Sequence, residues 1–399
     1  MRAETPPGAG ARGARVPAVP GSRGAPASPW RRLLLAGALG LPVAAGLSGC
    51  APSRPRAAYV VAARQADGGH VLVLHDAAHA ELARIPVDAR AHGFAQDPGR
   101  PDRVVVFARR PGTRAWVLDL AEPRLVGGFA SAAGRHFYGH GAFTADGAHL
   151  LTTENDYEAG RGVIVIRSTA DWRVVGEIPA HGVGPHELRL MPDGRSLAVA
   201  IGGIRTHPSR PREKLDLDAM RPALNYVEIE SGRLLGTYAP PDHRQGIRHL
   251  DVAADGTVLV AIQHEGTAGE GPGGGLLARH RGEDALAFPE VAPGDWAALR
   301  GYVGSICAAA EGRHAIASSP RGNALVFWDW RENRLEASLP MLDVCAVAID
   351  AQGATAAAAG GGGEIRRFDR DDGRWRLVRI VPAGNGAAVA FDNHMASVA

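Results

Sequence analysis

The chain of 399 residues carries 44 Lys and Arg against 42 Asp and Glu, a formal net charge of +2, so its charge balance gives no reason to expect nucleic acid or another polyanion as partner. Gly is abundant at 52 and aromatic residues make up only 6%. The apolar residues come in short Val, Ile, Leu and Ala bursts between turn residues, which argues against a mainly helical body and for an all-β one.

Residues 1–28 are rich in Pro, Gly, Ala and Arg and hold too little apolar surface to offset chain entropy, so they read as disordered. Trp30-Arg31-Arg32 then leads into an apolar run from Leu33 to Leu47, broken by Pro42 and glycines. That run falls short of the roughly 20 residues a membrane-spanning helix needs, and its order of charged, apolar and small residues is that of an export signal. Leu47-Ser48-Gly49-Cys50 resembles the lipobox of bacterial lipoproteins, which would make Cys50 the lipidated first residue of the mature chain. Arg31-Arg32 resembles a twin-arginine signal, the route for proteins exported already folded, although Pro29 and Trp30 depart from its usual flanks. The expected organisation is a leader over 1–49, a linker over 50–56 and one domain over 57–399, in the periplasm and tied to the membrane by lipid alone. Ala51 in place of the Asp that holds many lipoproteins at the inner membrane favours the outer one by analogy.

Turn signals recur along the body at Pro98-Gly99, Asp146-Gly147, Asp193-Gly194, Asp255-Gly256, Glu311-Gly312 and Gln352-Gly353, spaced 41 to 62 residues apart. This is the period of a four-stranded propeller blade with loop insertions. Innermost strands are expected near 92–96, 138–144, 185–191, 247–252, 303–309 and 343–349. Segments 57–63, 69–76 and 80–87 lack an innermost strand, and 386–392 is such a strand without a blade. Pairing the two predicts a seven-bladed all-β propeller closed by its own ends. Segments 203–222 and 264–274 are predicted loops on one face.

Counting back seven or eight residues from each turn finds His92, His140, His186, His249, Ser305 and Cys345, with Asn385 or Gly386 in the closing blade. Four successive blades thus place His at one equivalent position, around the mouth of the central channel. Convergent neutral imidazoles suit Cu or Fe ahead of Zn, with Cys345 offering a thiolate. Glu154, Asn155, Gln263 and His264, at the ends of second strands, are expected to support them, as is Ser305. A metal site, a small-ligand or water-filled funnel and purely structural packing all remain open for the ring. For Cys307 and Cys345, a disulfide, a ligand pair and buried apolar roles remain open too.

Gly139-His140-Gly141, Thr153-Glu154-Asn155 and Gly184-Pro185-His186-Glu187-Leu188 with Met191-Pro192-Asp193-Gly194 resemble a bacterial propeller family, domain of unknown function 1513, over roughly residues 57–393. The resemblance implies a periplasmic protein exported by the twin-arginine route, often encoded beside imelysin-type proteins implicated in iron uptake. The expected function is binding of a metal ion or metal-dependent ligand at the axis. A periplasmic oxidoreductase or lactonase-like hydrolase is one alternative. The other is a scaffold holding a partner protein through 203–222.

Overall fold

The computed structural model describes residues 55–210, 213–266, 275–382 and 388–398. The expectations for Arg31, Arg32, Cys50, Asn385 and Gly386 lie outside them, as does most of the 264–274 loop.

Each repeat folds into an antiparallel sheet because the predicted turns close hairpins. At Asp146-Gly147 the Asp146 carboxylate accepts from the Ala148 N–H at 3.0 Å and the Thr144 hydroxyl at 2.6 Å, while Gly147 takes φ +67°. Asp193-Gly194 repeats the device, with Asp193 accepting from the Arg195 and Ser196 N–H groups. Such left-handed corners favour glycine.

Seven sheets result, six four-stranded and one three-stranded. Their innermost strands are Val389–Ser397, Ala91–Asp97, Arg135–Phe143, Pro185–Leu190, Gln245–Val252, Ser305–Ala308 and Val344–Ile349, in blades 1 to 7. The second strands are the most apolar: every residue of Ser196–Ile201 and Val258–His264 is buried, since neighbouring blades cover both faces. The outermost strands, such as Arg374–Val381, face solvent. Apolar clusters fill the spaces between blades, as where Val61, Val73, Ala346, Ala357 and Phe391 pack blade 7 onto blade 1.

Closure follows the predicted plan. Val389–Ser397 pairs antiparallel with Tyr59–Gln65, from Tyr59 opposite Ser397 to Gln65 opposite Val389, completing the sheet with His70–His75 and Glu81–Val87. The strand runs five residues beyond the predicted 386–392, a difference that matters at the hub.

Blade 5 departs from the four-strand plan. After Leu277–His280 only an isolated bridge, Arg279 to Ala287, stands in for an outer strand, followed by the short helix Pro293–Ala298. Pro289 and Pro293 lack the N–H groups an outer strand would donate. Trp296 and Leu299 restore the covering by packing onto the blade core. The described residues of 203–222 form a loop, with a 3-10 turn at Leu217–Ala219. Among the described residues no helix is long and apolar enough to cross a membrane.

The closing strand is where stability concentrates. Phe391→Ala, removing a buried ring packed edge-on to His75, should cost about 3 kcal/mol. Leu377→Ala on the exposed outer strand should stay within roughly 0.5 kcal/mol. Urea-unfolding midpoints of the two variants check this, and equal losses would contradict it.

Candidate functional site

In six of the seven innermost strands the register slips by one or two residues, a β-bulge beside the axis. A bulge leaves residues unpaired and re-aims their side chains. His92, His140, His186 and His394 lie within these bulges, and His249 directly follows the bulged Arg248. Five imidazoles from five blades therefore converge on the axis. Ring centroids of His92 and His394 lie 4.5 Å apart, of His249 and His394 4.6 Å, of His186 and His249 4.7 Å, and of His92 and His140 4.8 Å.

Two glycines make this crowding possible. A side chain at Gly93 would press on the Gly139 carbonyl and stand 2.7 Å from His140 Nδ1. One at Gly139, itself at φ +106°, would stand 2.7 Å from His92 Cδ2.

The cluster is inside the hub, not at an open mouth: His92, His140, His186 and His249 are 1 to 7% exposed. The expected place around the mouth is corrected accordingly, since His140 and His249 sit five or six residues into their strands, as does the unanticipated His394. Burial pushes His249 and His394 down to about 3, and holds His92, His140 and His186 well below the ordinary histidine range, with neighbouring imidazoles and arginines adding to the effect. All five are neutral and each keeps a free lone pair.

Polar contacts hold one nitrogen of three of the rings. Glu187 reaches His249 Nδ1 at 3.0 Å and His140 Nδ1 at 3.4 Å, and the Ser305 hydroxyl meets His394 Nδ1 at 3.3 Å. Glu187 is itself held by Arg189 at 2.9 Å, which also reaches Asp251. His140 Nε2, His394 Nε2, His92 Nδ1 and His186 Nδ1 are buried without partners. Unpartnered buried polar atoms cost about 1–3 kcal/mol each and call for an ion or water.

The donor atoms of His92, His140 and His186 lie within 4.8 Å of one another, as do those of His92, His249 and His394 and those of His140, Glu187 and His249. Ligand nitrogens around one transition-metal ion stand roughly 3–3.5 Å apart, at metal–nitrogen distances of about 2.0–2.1 Å. A carboxylate or hydroxyl on the far nitrogen of a histidine is the usual support for metal ligation. These residues fit a metal ion.

Of the predicted set, His92, His140, His186 and His249 come together and Ser305 supports them. Cys345 does not join, although it occupies the bulge of blade 7, because its thiol turns back onto the Asp343 carbonyl at 3.3 Å. Cys307 and Cys345 are free thiols. Glu154, Asn155, Gln263 and His264 make none of the hydrogen bonds to the imidazoles, because second strands stand one strand away from the axis. Glu154 is spent on Arg167 at 2.7 Å, Asn155 joins His136 to Thr206, and His264 bonds Asp242 at 2.9 Å. Gln263 forms a backbone bridge with Tyr302. His394 and Glu187 were not anticipated as site residues. Glu187 was legible as the neighbour of His186, whereas His394 has no following turn from which to count back. A second cluster, His314, Asp329 and Glu336, is spent on Arg313, Arg370 and Trp375.

Because native His249 and His394 refuse the proton that unfolded histidines accept below about pH 6.5, they leave stability unchanged above that pH. They lower it as pH falls from there toward 3. Chelator-treated protein should lose about 1.4 kcal/mol per pH unit for each of the two. Thermal unfolding across that window checks this; a flat profile would contradict neutral burial.

The sequence profile of a family described as "Protein of unknown function (DUF1513)" matches residues 85–398. No curated protein matches the chain. Among solved structures, hydrazine synthase of Kuenenia stuttgartiensis is similar at 13% identity and a TM-score of 0.54, covering 84% of this chain and 99% of that one. The β-propeller domain of Cps50 (Swd1) of Myceliophteria thermophila matches at 14% and 0.52, covering 75% and 88%. The C-terminal WD40 domain of Sif2 matches at 13% and 0.52, covering 82% and 84%. At such identities these likenesses concern the fold alone.

Proposed function

The chain belongs to the family of proteins of unknown function DUF1513, and from the site itself we propose that it holds a transition-metal ion in its hub through His92, His140, His186, His249 and His394. The observation that carries the reading is the convergence of five imidazoles held off the proton, four of which keep a buried nitrogen without a partner. Copper or iron is favoured over zinc, because zinc sites use four ligands and five imidazoles with no thiolate exceed that set. Bound there, the ion would supply redox or Lewis-acid chemistry. The chain's own part is to hold the imidazoles in orientation through Glu187 and Ser305 and to keep bulk water out.

Below the cluster lies a cavity of about 80 Å³ lined by Glu187, Arg189, Asp251, Ser305, Cys307 and His394. Its small size suits an ion and waters, which supports holding an ion over lactonase-like hydrolysis. The export reading of Arg31, Arg32 and Cys50 supports a role in the periplasm, on a lipid anchor at the outer membrane, and the family resemblance supports one in iron acquisition. Export in the folded state is consistent with an ion loaded before passage.

Elemental analysis of protein purified from the periplasm should find about one ion per chain. His140→Ala with His186→Ala, and His394→Ala alone, should abolish or sharply reduce it, and Glu187→Gln should weaken affinity by about 10–100-fold. Trace metal in the wild type, or occupancy unchanged in the double variant, sinks the reading. Cys50→Ser should move the protein from the membrane to the soluble fraction, and unchanged partitioning would refute the anchor.

A further inference from the structure

The innermost strands carry a second layer of side chains one step along the channel from the imidazoles. Alternate residues of a strand face the same way, so His249 is followed by Asp251, Glu187 by Arg189 and Ser305 by Cys307. Arg189, Asp251 and Cys307 line the same cavity as Glu187, His140 and His394. At its inner end His140 and His394 each keep an unpartnered Nε2. Exposure then rises along the layer, from 3% for the Glu187 side chain to 20% for Asp251 and 34% for Arg189. The cavity therefore leads from the buried rings toward solvent.

Arg189 bridges this passage. Its guanidinium stands 2.9 Å from Glu187 on the inner side and 3.3 Å from Asp251 on the outer side. Both carboxylates are fixed without it. Glu187 meets His249 Nδ1 at 3.0 Å and accepts from the Leu250 N–H at 3.4 Å. Asp251 accepts from the Ala308 N–H at 2.9 Å and from the Val252 N–H at 3.0 Å. Arg189 has a long stem, and these two carboxylates are its ion-pair partners among the described residues. The Asp251 end of the bridge, with solvent at both members, is the weaker one. Rotation of this single side chain would leave two anchored carboxylates in line with the open imidazole nitrogens.

We propose that Arg189 is the gate of an entry passage for a divalent transition-metal ion. Bridging Glu187 and Asp251, it blocks the way with its bulk and its charge. Swung toward solvent, it uncovers the two carboxylates as successive footholds for the cation on its way to the rings. The cargo rests on the metal reading, whereas the passage and its gate rest on the geometry of the second layer alone.

Cys307, half-buried in the same cavity, reports on the passage without any metal. In the full, chelator-treated protein, Arg189→Ala should speed alkylation of Cys307 by iodoacetamide about tenfold or more, read by peptide mass spectrometry. Cys345, held against the Asp343 carbonyl, should keep its rate. Burial first and Asp251 second push the Cys307 thiol up to about 12, and Arg189 draws it down. Loss of the cation alone would therefore slow the thiolate reaction, and an acceleration reports access. Copper(II) should load into Arg189→Ala, and leave it for a chelator, about tenfold faster in stopped-flow runs, with affinity changed less than either rate. No copper uptake by either protein sinks the metal reading and with it the cargo, and the alkylation rates then decide separately whether Arg189 closes the cavity. Unchanged alkylation of Cys307, an equal rise at Cys345, or faster alkylation with unchanged copper rates would overturn the gate.

Discussion

One strand pairing governs this molecule. When Val389–Ser397 docks on Tyr59–Gln65 it joins residues from opposite ends of the domain, pairs two sheet edges that would otherwise stay open, and fixes the circumference of the ring. Circumference sets the width of the hub, and the width of the hub decides whether side chains from different blades can touch. The same strand carries His394. Closure and completion of the imidazole cluster are therefore one event, and a chain frayed at this seam would lose both.

The cluster concentrates costs that folding alone does not require. Five imidazoles are withdrawn from water, held neutral, and packed so tightly that Gly93 and Gly139 leave no space for a methyl group. Glu187 and Ser305 hold three of the rings by one nitrogen, and four nitrogens are left open. An apolar hub would be simpler to build and more stable. Local violations of satisfaction and packing rules of this kind gather at sites of function.

Electrostatics tie the imidazoles to the charged residues around them. Arg248 and Arg110 disfavour protonation of His186, and Arg109 does the same at His92 and His249, so the cations help keep the imidazoles available as lone-pair donors. Glu187 works the other way on His394, and its own charge is answered by Arg189. No single blade contains this arrangement.

The sequence by itself determined the repeat, the number of blades, the closing seam and four of the five imidazoles. All of these rest on local rules: an Asp-Gly corner closes a hairpin wherever it occurs, and a fixed distance back from it lies the same place in every blade. It could not determine what depends on register and depth. His394 has no turn after it to count from, Cys345 holds the equivalent place but its thiol is drawn to a carbonyl two residues back, and Glu154 and His264 lie one strand too far from the axis. Bulges decided these outcomes. A bulge is a slip between two strands distant in the chain, so only the assembled ring shows which side chains it turns toward the axis and which it leaves in the wall.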